Sequence, residues 1–281
     1  MKSKILITGG AGFLGSELTG LLLDQSYEVT VYDSLLYDKT SLLRYCKYPK
    51  FSFIKEDVRN YAELRKQVSK TDIILPLACL VGFPLAEKKK EEATAVNFEA
   101  NEFIANIKSK DQIVISPNTN SGLGNVGGIC TEETPMNPIT HYGLTKLRAE
   151  QKYMETENCT SLRLATIFGV SSRPRTDLLV NNLVLNALRD KVIILYESEF
   201  MRNYIHILDV CRAFLFVIQN WDMCKNEIFN VGNDSLNMNK LQLAEKVKEH
   251  LPETEIIRAN LATAPDKRDY TVSDCDADTN F

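Results

Sequence analysis

The segment Ile5-Leu6-Ile7-Thr8-Gly9-Gly10-Ala11-Gly12-Phe13-Leu14-Gly15 narrows what this chain can fold into more than any other. Its short apolar run reads as a buried strand, glycines at intervals of three follow, and Leu14 to Leu23 reads as a helix with Leu18, Leu21 and Leu22 on one side. Strand, tight turn and helix start in that order form a cradle for a diphosphate. Gly9 permits the turn, Gly12 lets a pyrophosphate approach the backbone, and Gly15 allows tight packing, while free N–H groups at Phe13 and Leu14 face the anion. Asp33 ends the next β-branched run eighteen residues beyond Gly15, in the interval expected for an acid that hydrogen-bonds an adenosine ribose. A carboxylate there repels the 2′-phosphate of NADP, and no basic residue follows immediately in Ser34-Leu35-Leu36, so NAD is the expected cofactor.

Strand and helix signals go on alternating. Strands are expected at Glu28–Tyr32, Phe51–Ile54, Ile73–Leu77, Ile113–Ser116 and Ser161–Ala165, with helices over 87–106 and 143–155. Inner strands that are continuously apolar belong to a parallel sheet covered by helices on both faces. The fold class is therefore α/β, a Rossmann doubly wound parallel sheet over residues 1–169, with a smaller C-terminal α/β substrate lobe over 170–281. The expected return segment, near 205–224, combines a strand at Ile205–Leu208 with a helix at Asp209–Gln219. Past residue 169 a helix over Leu178–Leu188, a strand at Val192–Leu195, a strand at Ile228–Val231 after the Asp209–Gln219 helix, a helix at Leu241–His250 and a strand at Glu255–Ile257 are expected.

Composition excludes several functions. With 33 Lys and Arg against 37 Asp and Glu, the net charge of -4 offers no global positive field for nucleic acid. The Lys88-Lys89-Lys90-Glu91-Glu92 run, with both signs interspersed, reads as a solvated helix face. The longest uncharged apolar stretch, Ile73 to Ala86, is too short to span a bilayer and contains Pro76 and Pro84, so no membrane association is expected. Seven cysteines without a CxxC pair, and a start that lacks an apolar leader, point to a reducing, cytoplasmic setting. His141, His206 and His250 form no metal-ligand pattern, and no metal is expected.

The catalytic candidates are Tyr142 and Lys146, four positions apart and hence on one helix face. A free phenol titrates near ~10, so one that acts as a base near neutrality needs roughly 4 kcal/mol of preferential stabilisation of its anion. An ammonium and a positively charged nicotinamide ring can supply it. Taken alone, a Tyr and a Lys at this spacing are common surface sequence. Beside a dinucleotide motif they become a base and its helper, because oxidising an alcohol needs a base and a hydride acceptor together. Thr119, in the loop after Ile113-Val114-Ile115-Ser116, is a candidate to share the substrate alcohol, with Ser116 and Ser121 as alternatives. Asp57-Val58 after the third strand reads equally as a solvated turn or an adenine contact. Arg202 and Arg268 are candidate diphosphate clamps, since planar guanidinium groups match phosphate oxygens. Asn182-Leu183 reads by its chemistry as helix surface, with further substrate contact as the alternative.

The glycine motif, Asp33, the Tyr142/Lys146 pair, Arg202-Asn203-Tyr204-Ile205-His206 and Arg268-Asp269 together resemble the extended short-chain dehydrogenase/reductase family, specifically its NAD-dependent nucleotide-sugar epimerases and dehydratases. Ser116-Pro117-Asn118-Thr119-Asn120-Ser121-Gly122 and Arg163-Leu164-Ala165-Thr166-Ile167-Phe168-Gly169 resemble its nucleotide-heptose 4-dehydrogenase branch. The resemblance implies diphosphate binding at Gly9, Gly12 and Gly15, ribose binding at Asp33, adenine at Asp57-Val58 and the nicotinamide side at Leu77-Ala78. It implies catalytic hydroxyls at Thr119 and Tyr142, with Lys146 as ribose-binding helper. Its dehydratases carry Thr-Asp-Glu where this chain has Thr119-Asn120-Ser121, so the acids for eliminating water are absent. The expected activity is NAD-dependent oxidation at C4 of a GDP- or UDP-sugar, chiefly as a 4-epimerase. A 4-dehydrogenase that regenerates NAD with 2-oxoglutarate and a 4-ketosugar reductase are the enzymatic alternatives, and an NAD-binding sensor or structural protein is the non-enzymatic one. The resemblance also implies a homodimer and a chain that ordinarily continues past Phe281.

Overall fold

The computed structural model describes residues 3–37, 39–259 and 269–273. In chain order the first part comprises β1 (Lys4–Thr8), α1 (Phe13–Asp24), β2 (Glu28–Asp33), β3 (Phe51–Lys55), α2 (Tyr61–Val68), β4 (Ile73–Pro76), α3 (Phe83–Lys88), α4 (Lys90–Thr94), α5 (Ala100–Ile107), β5 (Ile113–Thr119), β6 (Asn125–Cys130), α6 (His141–Met154) and β7 (Cys159–Leu164). There follow β8 (Thr166–Phe168), α7 (Leu179–Asp190), β9 (Val192–Leu195), β10 (Arg202–His206), α8 (Ile207–Gln219), α9 (Trp221–Cys224), β11 (Ile228–Val231), β12 (Asn237–Met238), α10 (Lys240–His250), β13 (Glu255–Arg258) and β14 (Asp269–Val272).

Seven strands form one parallel sheet in the order β11-β7-β5-β4-β1-β2-β3. Side-chain alternation along β1 sends Ile5 and Ile7 to one face and Leu6 to the other. On the first face they meet Leu18 and Leu22 of α1 and Val210 and Phe214 of α8, and on the second Leu6 joins Leu64 of α2, Ile104 of α5 and Tyr153 of α6. The chain leaves β1 in one direction for β2 and β3, then returns to β4 on the other side, so a crevice opens beyond the strand ends between β1 and β4. Among the described residues there are three further, small sheets, β12-β10-β8, β13-β9 and β14-β6. The first two of these sheets, α7 and α10 share a core of Leu183, Ala187, Ile193, Tyr204, Leu243 and Val247, and β14-β6 packs in a separate cluster of Leu123, Cys130, Tyr270 and Val272. Among the described residues, no helix is long and apolar enough to cross a membrane.

Two elements depart from the sequence expectation. Instead of one helix over 87–106, the chain breaks at Lys89 and takes a wide π-turn over Ala95–Glu99. That widening accompanies a fully buried Asn97, whose amide accepts from the Leu80 N–H (2.8 Å) and donates to the Leu80 carbonyl (3.2 Å). Leu80 is in the loop after β4, so a helix that is locally irregular holds one wall of the crevice. The expected strand at Ile205–Leu208 ends at His206, and Ile207 and Leu208 begin α8. An apolar pair at a strand-to-helix junction carries no period that separates the two.

Candidate active site

The crevice is a cavity of about 790 Å³. Its floor is the turn between β1 and α1. Gly9 has φ +71°, and a Cβ there would lie 2.6 Å from both Cα and N of Ala78. At Gly15 a Cβ would lie 2.6 Å from the Gly9 carbonyl oxygen and Gly10 Cα, so this glycine packs the helix against its own preceding turn. Gly12, Phe13 and Leu14 also line the cavity, and α1 starts there with neither a side-chain cap nor an acid in its first turn. Its first N–H groups are thus left for an anion.

Asp33 braces this turn as well as facing the cavity: its carboxylate accepts from the Ala11 N–H (3.0 Å) and the Leu35 N–H (2.7 Å). Burial pushes its carboxyl up from the ordinary value, and the two N–H donors and the charge of Arg173 act against the shift. Arg173, with its guanidinium 4.8 Å from the Tyr37 ring centre, reaches the cavity from the loop after Gly169. That neighbour of Asp33 was not visible in Ser34-Leu35-Leu36. Its loop is tied to α1, since Ser171 donates to the Phe13 carbonyl (2.7 Å) and the Ser172 N–H to Glu17 (2.7 Å). Asp57 and Val58 line the same end, but the Asp57 carboxylate is held by Arg59 at 2.8 and 2.7 Å, which keeps it below the usual carboxylate range. Leu77 and Ala78 form the opposite wall, fixed to Thr8 through its carbonyl (2.9 Å) and hydroxyl (3.3 Å).

Thr119, Tyr142 and Lys146 all open onto this cavity. Thr119 is the last residue of β5; its hydroxyl oxygen accepts from the Ser121 N–H (3.1 Å), which leaves its proton available to a ligand. Helix α6 is started by Thr140, whose hydroxyl accepts from Gly143 N–H (3.1 Å), and by Glu87, which accepts from His141 N–H (2.9 Å). Tyr142 therefore sits in a firmly capped first turn and Lys146 one turn later. Of the alternative hydroxyls, Ser121 also lines the cavity, whereas Ser116 is buried away from its wall. Asn120 is fully buried, with both amide atoms unpaired among the described residues and no place on the wall.

Lys146 is 5% exposed, and among the described residues no carboxylate is ion-paired with it. Burial pulls its ammonium below the ordinary lysine value, with Cys79 and Glu150 opposing the shift. A lysine whose pKa is depressed on folding binds fewer protons folded than unfolded, so stability rises with pH between the folded pKa and the ordinary lysine value of 10.5. We therefore expect Lys146→Met to melt higher than the native protein at neutral pH, by about 2–4 °C for each kcal/mol relieved. The gap should narrow as pH rises through that window. Calorimetry at neutral and alkaline pH checks it, and a Met variant that melts lower at neutral pH counts against an uncompensated charge.

Of the remaining sequence candidates, those among the described residues are off the cavity wall. Leu183 is on the buried stripe of α7, in the core of the smaller lobe, and the Asn182 amide donates to the Thr176 carbonyl (3.2 Å). Neither is on the cavity wall. Leu183, read from sequence as helix surface, is a packing residue, because Leu179, Leu183 and Ala187 share one side of the helix with it innermost. Arg202 is 9% exposed at the start of β10, donates to the Met201 carbonyl (2.8 Å) and has its guanidinium 5.2 Å from the Tyr270 ring centre. Arg268 lies outside the described residues. Sequence reading missed Cys79, Arg173, Arg175 and Asn118, which all line the cavity. Only their positions could have signalled them: Cys79, Arg173 and Arg175 stand in loops after strands, and Asn118 at the end of β5.

A parallel sheet with a glycine turn, an acid at the end of β2 and a helix-borne Tyr/Lys pair at one crevice defines a dinucleotide-dependent enzyme of the short-chain dehydrogenase/reductase type. Residues 5–232 match the NAD dependent epimerase/dehydratase family, and the chain belongs to it. The low-salt glycan biosynthesis protein Agl12 of Haloferax volcanii is 25% identical over 255 residues, covering 87% of this chain and 81% of its own. The UDP-glucose 4-epimerase of Thermotoga maritima, solved with UDP-glucose, superposes with a TM-score of 0.85 at 23% identity, covering 98% of this chain and 91% of its own. The dTDP-glucose 4,6-dehydratase of Bacillus anthracis, solved with NAD, does so at 0.83 and 22%, covering 96% and 88%. The family's NAD fits the residues present: Gly9, Gly12 and the start of α1 for the diphosphate, and Asp33 for the ribose.

Proposed function

We propose that the protein oxidises C4 of a nucleotide diphosphate sugar and, after the 4-keto sugar turns over, reduces it again, acting as a nucleotide-sugar 4-epimerase. The observation that carries this reading is that Tyr142, Lys146 and Thr119 open onto the same cavity as the glycine turn. NAD, when bound, supplies the acceptor for the hydrogen leaving C4. Tyr142 takes the C4 hydroxyl proton, Thr119 hydrogen-bonds the same oxygen, and Lys146 orients the ribose and favours the phenolate electrostatically. Arg202 and Arg268 are the proposed diphosphate clamp; Arg202 starts the strand that runs beside β8, whose Thr166 and Ile167 line the cavity. Elimination of water is disfavoured because Asn120-Ser121 supplies no acid and Asn120 is buried off the wall.

The second reading is a 4-dehydrogenase that passes its electrons to 2-oxoglutarate, favoured by the likeness of Ser116–Gly122 and Arg163–Gly169 to the heptose branch. Homodimerisation and a cytoplasmic setting belong to the proposal through the family resemblance. The test is mass analysis after incubation with UDP- and GDP-hexoses and heptoses, with and without 2-oxoglutarate. A C4 epimer of unchanged mass is expected. Loss of two hydrogens coupled to reduction of the acceptor selects the dehydrogenase, and loss of water overturns the argument from the missing acids. Bound NAD with no exchange of C4 hydrogen across the panel selects a non-enzymatic NAD-binding role.

A further inference from the structure

Behind the cavity wall lies a buried ion pair that the proposed chemistry does not use. Glu150 is on α6, two turns beyond Tyr142 and one beyond Lys146, and its side chain is 3% exposed. It meets Arg163 of β7, 7% exposed, through Oε1 at 2.8 Å. The second oxygen, Oε2, accepts from the Ser161 hydroxyl (2.6 Å) and from the Asn118 amide (2.5 Å). Asn118 and Arg163 are register partners on adjacent strands, so their side chains reach the same face of the sheet, where α6 crosses. Asn118 completes the chain of contacts, because its own Oδ1 accepts from the N–H of Thr119 (2.8 Å). Arg163 is anchored in turn by the Glu132 carbonyl (2.8 Å), and the Glu132 carboxylate accepts from the Asn230 N–H of β11 (2.7 Å).

A buried carboxylate is costly to desolvate, and a sheet-to-helix contact could be made by apolar groups at less expense. Here the carboxylate joins three pieces that have to agree in position: the end of β5 that bears one catalytic hydroxyl, the helix that bears the phenol and the amine, and the strand between β5 and the sheet edge. We propose that Glu150 is a positioning residue, which through the Asn118 amide fixes the backbone of Thr119 and through its place on α6 holds that hydroxyl in register with Tyr142 and Lys146. The assignment rests on these three being the reacting groups.

The test uses the full chain with NAD and two kinds of variant. Asn118→Ala cuts the link and keeps the ion pair; the double variant Glu150→Met with Arg163→Met removes both charges at once and leaves neither buried alone. In each, hydrogen exchange of the Thr119 amide is expected to speed up at least about tenfold, as a lost hydrogen bond allows local opening. The kcat should fall about 100-fold, the scale of a misplaced reacting group, with KM for the sugar nucleotide within about threefold of native. Unchanged Thr119 exchange in Asn118→Ala overturns the proposal, as does a folded double variant that keeps native kcat, the result expected of an ion pair that only stabilises. If the native protein turns over no nucleotide sugar, the 4-epimerase reading fails, and Thr119 exchange alone decides the positioning role.

Discussion

Replacing Tyr142 by Phe is expected to lower kcat about a thousandfold, the middle of the range for losing a general base. That corresponds to about 4 kcal/mol of transition-state stabilisation. The substitution removes one oxygen and keeps the ring, which packs against the cluster that includes Leu64, Ile104 and Tyr153. Fold and NAD affinity should therefore stay near native. Thr119 can still hydrogen-bond the sugar oxygen, but its hydroxyl is a far weaker base and cannot take the proton in its place. Rapid-mixing absorbance at the NADH band, with dinucleotide affinity measured separately, distinguishes the two effects. A rate within tenfold of native would remove Tyr142 from the role of base.

Gly9→Ala should cause a large loss of stability for a single added methyl. The backbone there is left-handed, and the new Cβ would stand 2.6 Å from two backbone atoms of Ala78 and 2.8 Å from the Leu77 carbonyl carbon. Those atoms cannot yield without breaking the Leu77 and Ala78 hydrogen bonds to Thr8. Strained backbone costs about 1–3 kcal/mol, and overpacking about as much again. The melting midpoint should drop by about 5–15 °C, and saturating NAD should no longer raise it, since the same turn is the proposed diphosphate seat. A midpoint within 2 °C of native, with NAD protection intact, would mean that the turn has more room than these distances allow.

These two residues also show how unevenly the molecule could be read from its sequence. Gly9 and its companions declare themselves because only glycine fits such a turn, and the Tyr142/Lys146 spacing declares itself because a helix repeats every 3.6 residues. Both signals are local. Leu183 misled for the complementary reason: beside Asn182 it reads as helix surface, and only the packing of α7 on Ile193 and Tyr204 makes it core. Asn97 gave no warning either, because an asparagine in an expected helix has no pattern that says its amide will bind Leu80. The break at Lys89 hides in the same way, since the pairs of Lys89 with Glu92 and Lys90 with Glu87 suit a helix face as well as two short helices. Asp57 sits at the expected end of the cavity, yet its carboxylate is committed to Arg59.

What the amino-acid order determined alone was the α/β class, the parallel sheet, the dinucleotide turn with Asp33 beyond it, and the pairing of phenol and amine on one helix face. Each follows from interactions between residues close in the chain, where steric limits and periodicity act without help. The tertiary structure decided the rest: that Arg173 comes beside Asp33, that Lys146 is buried without an ion pair among the described residues, and that Glu150 ties Thr119 to the helix of Tyr142. Those contacts join residues far apart in the chain, and burial sets their energies, so no local pattern could carry them.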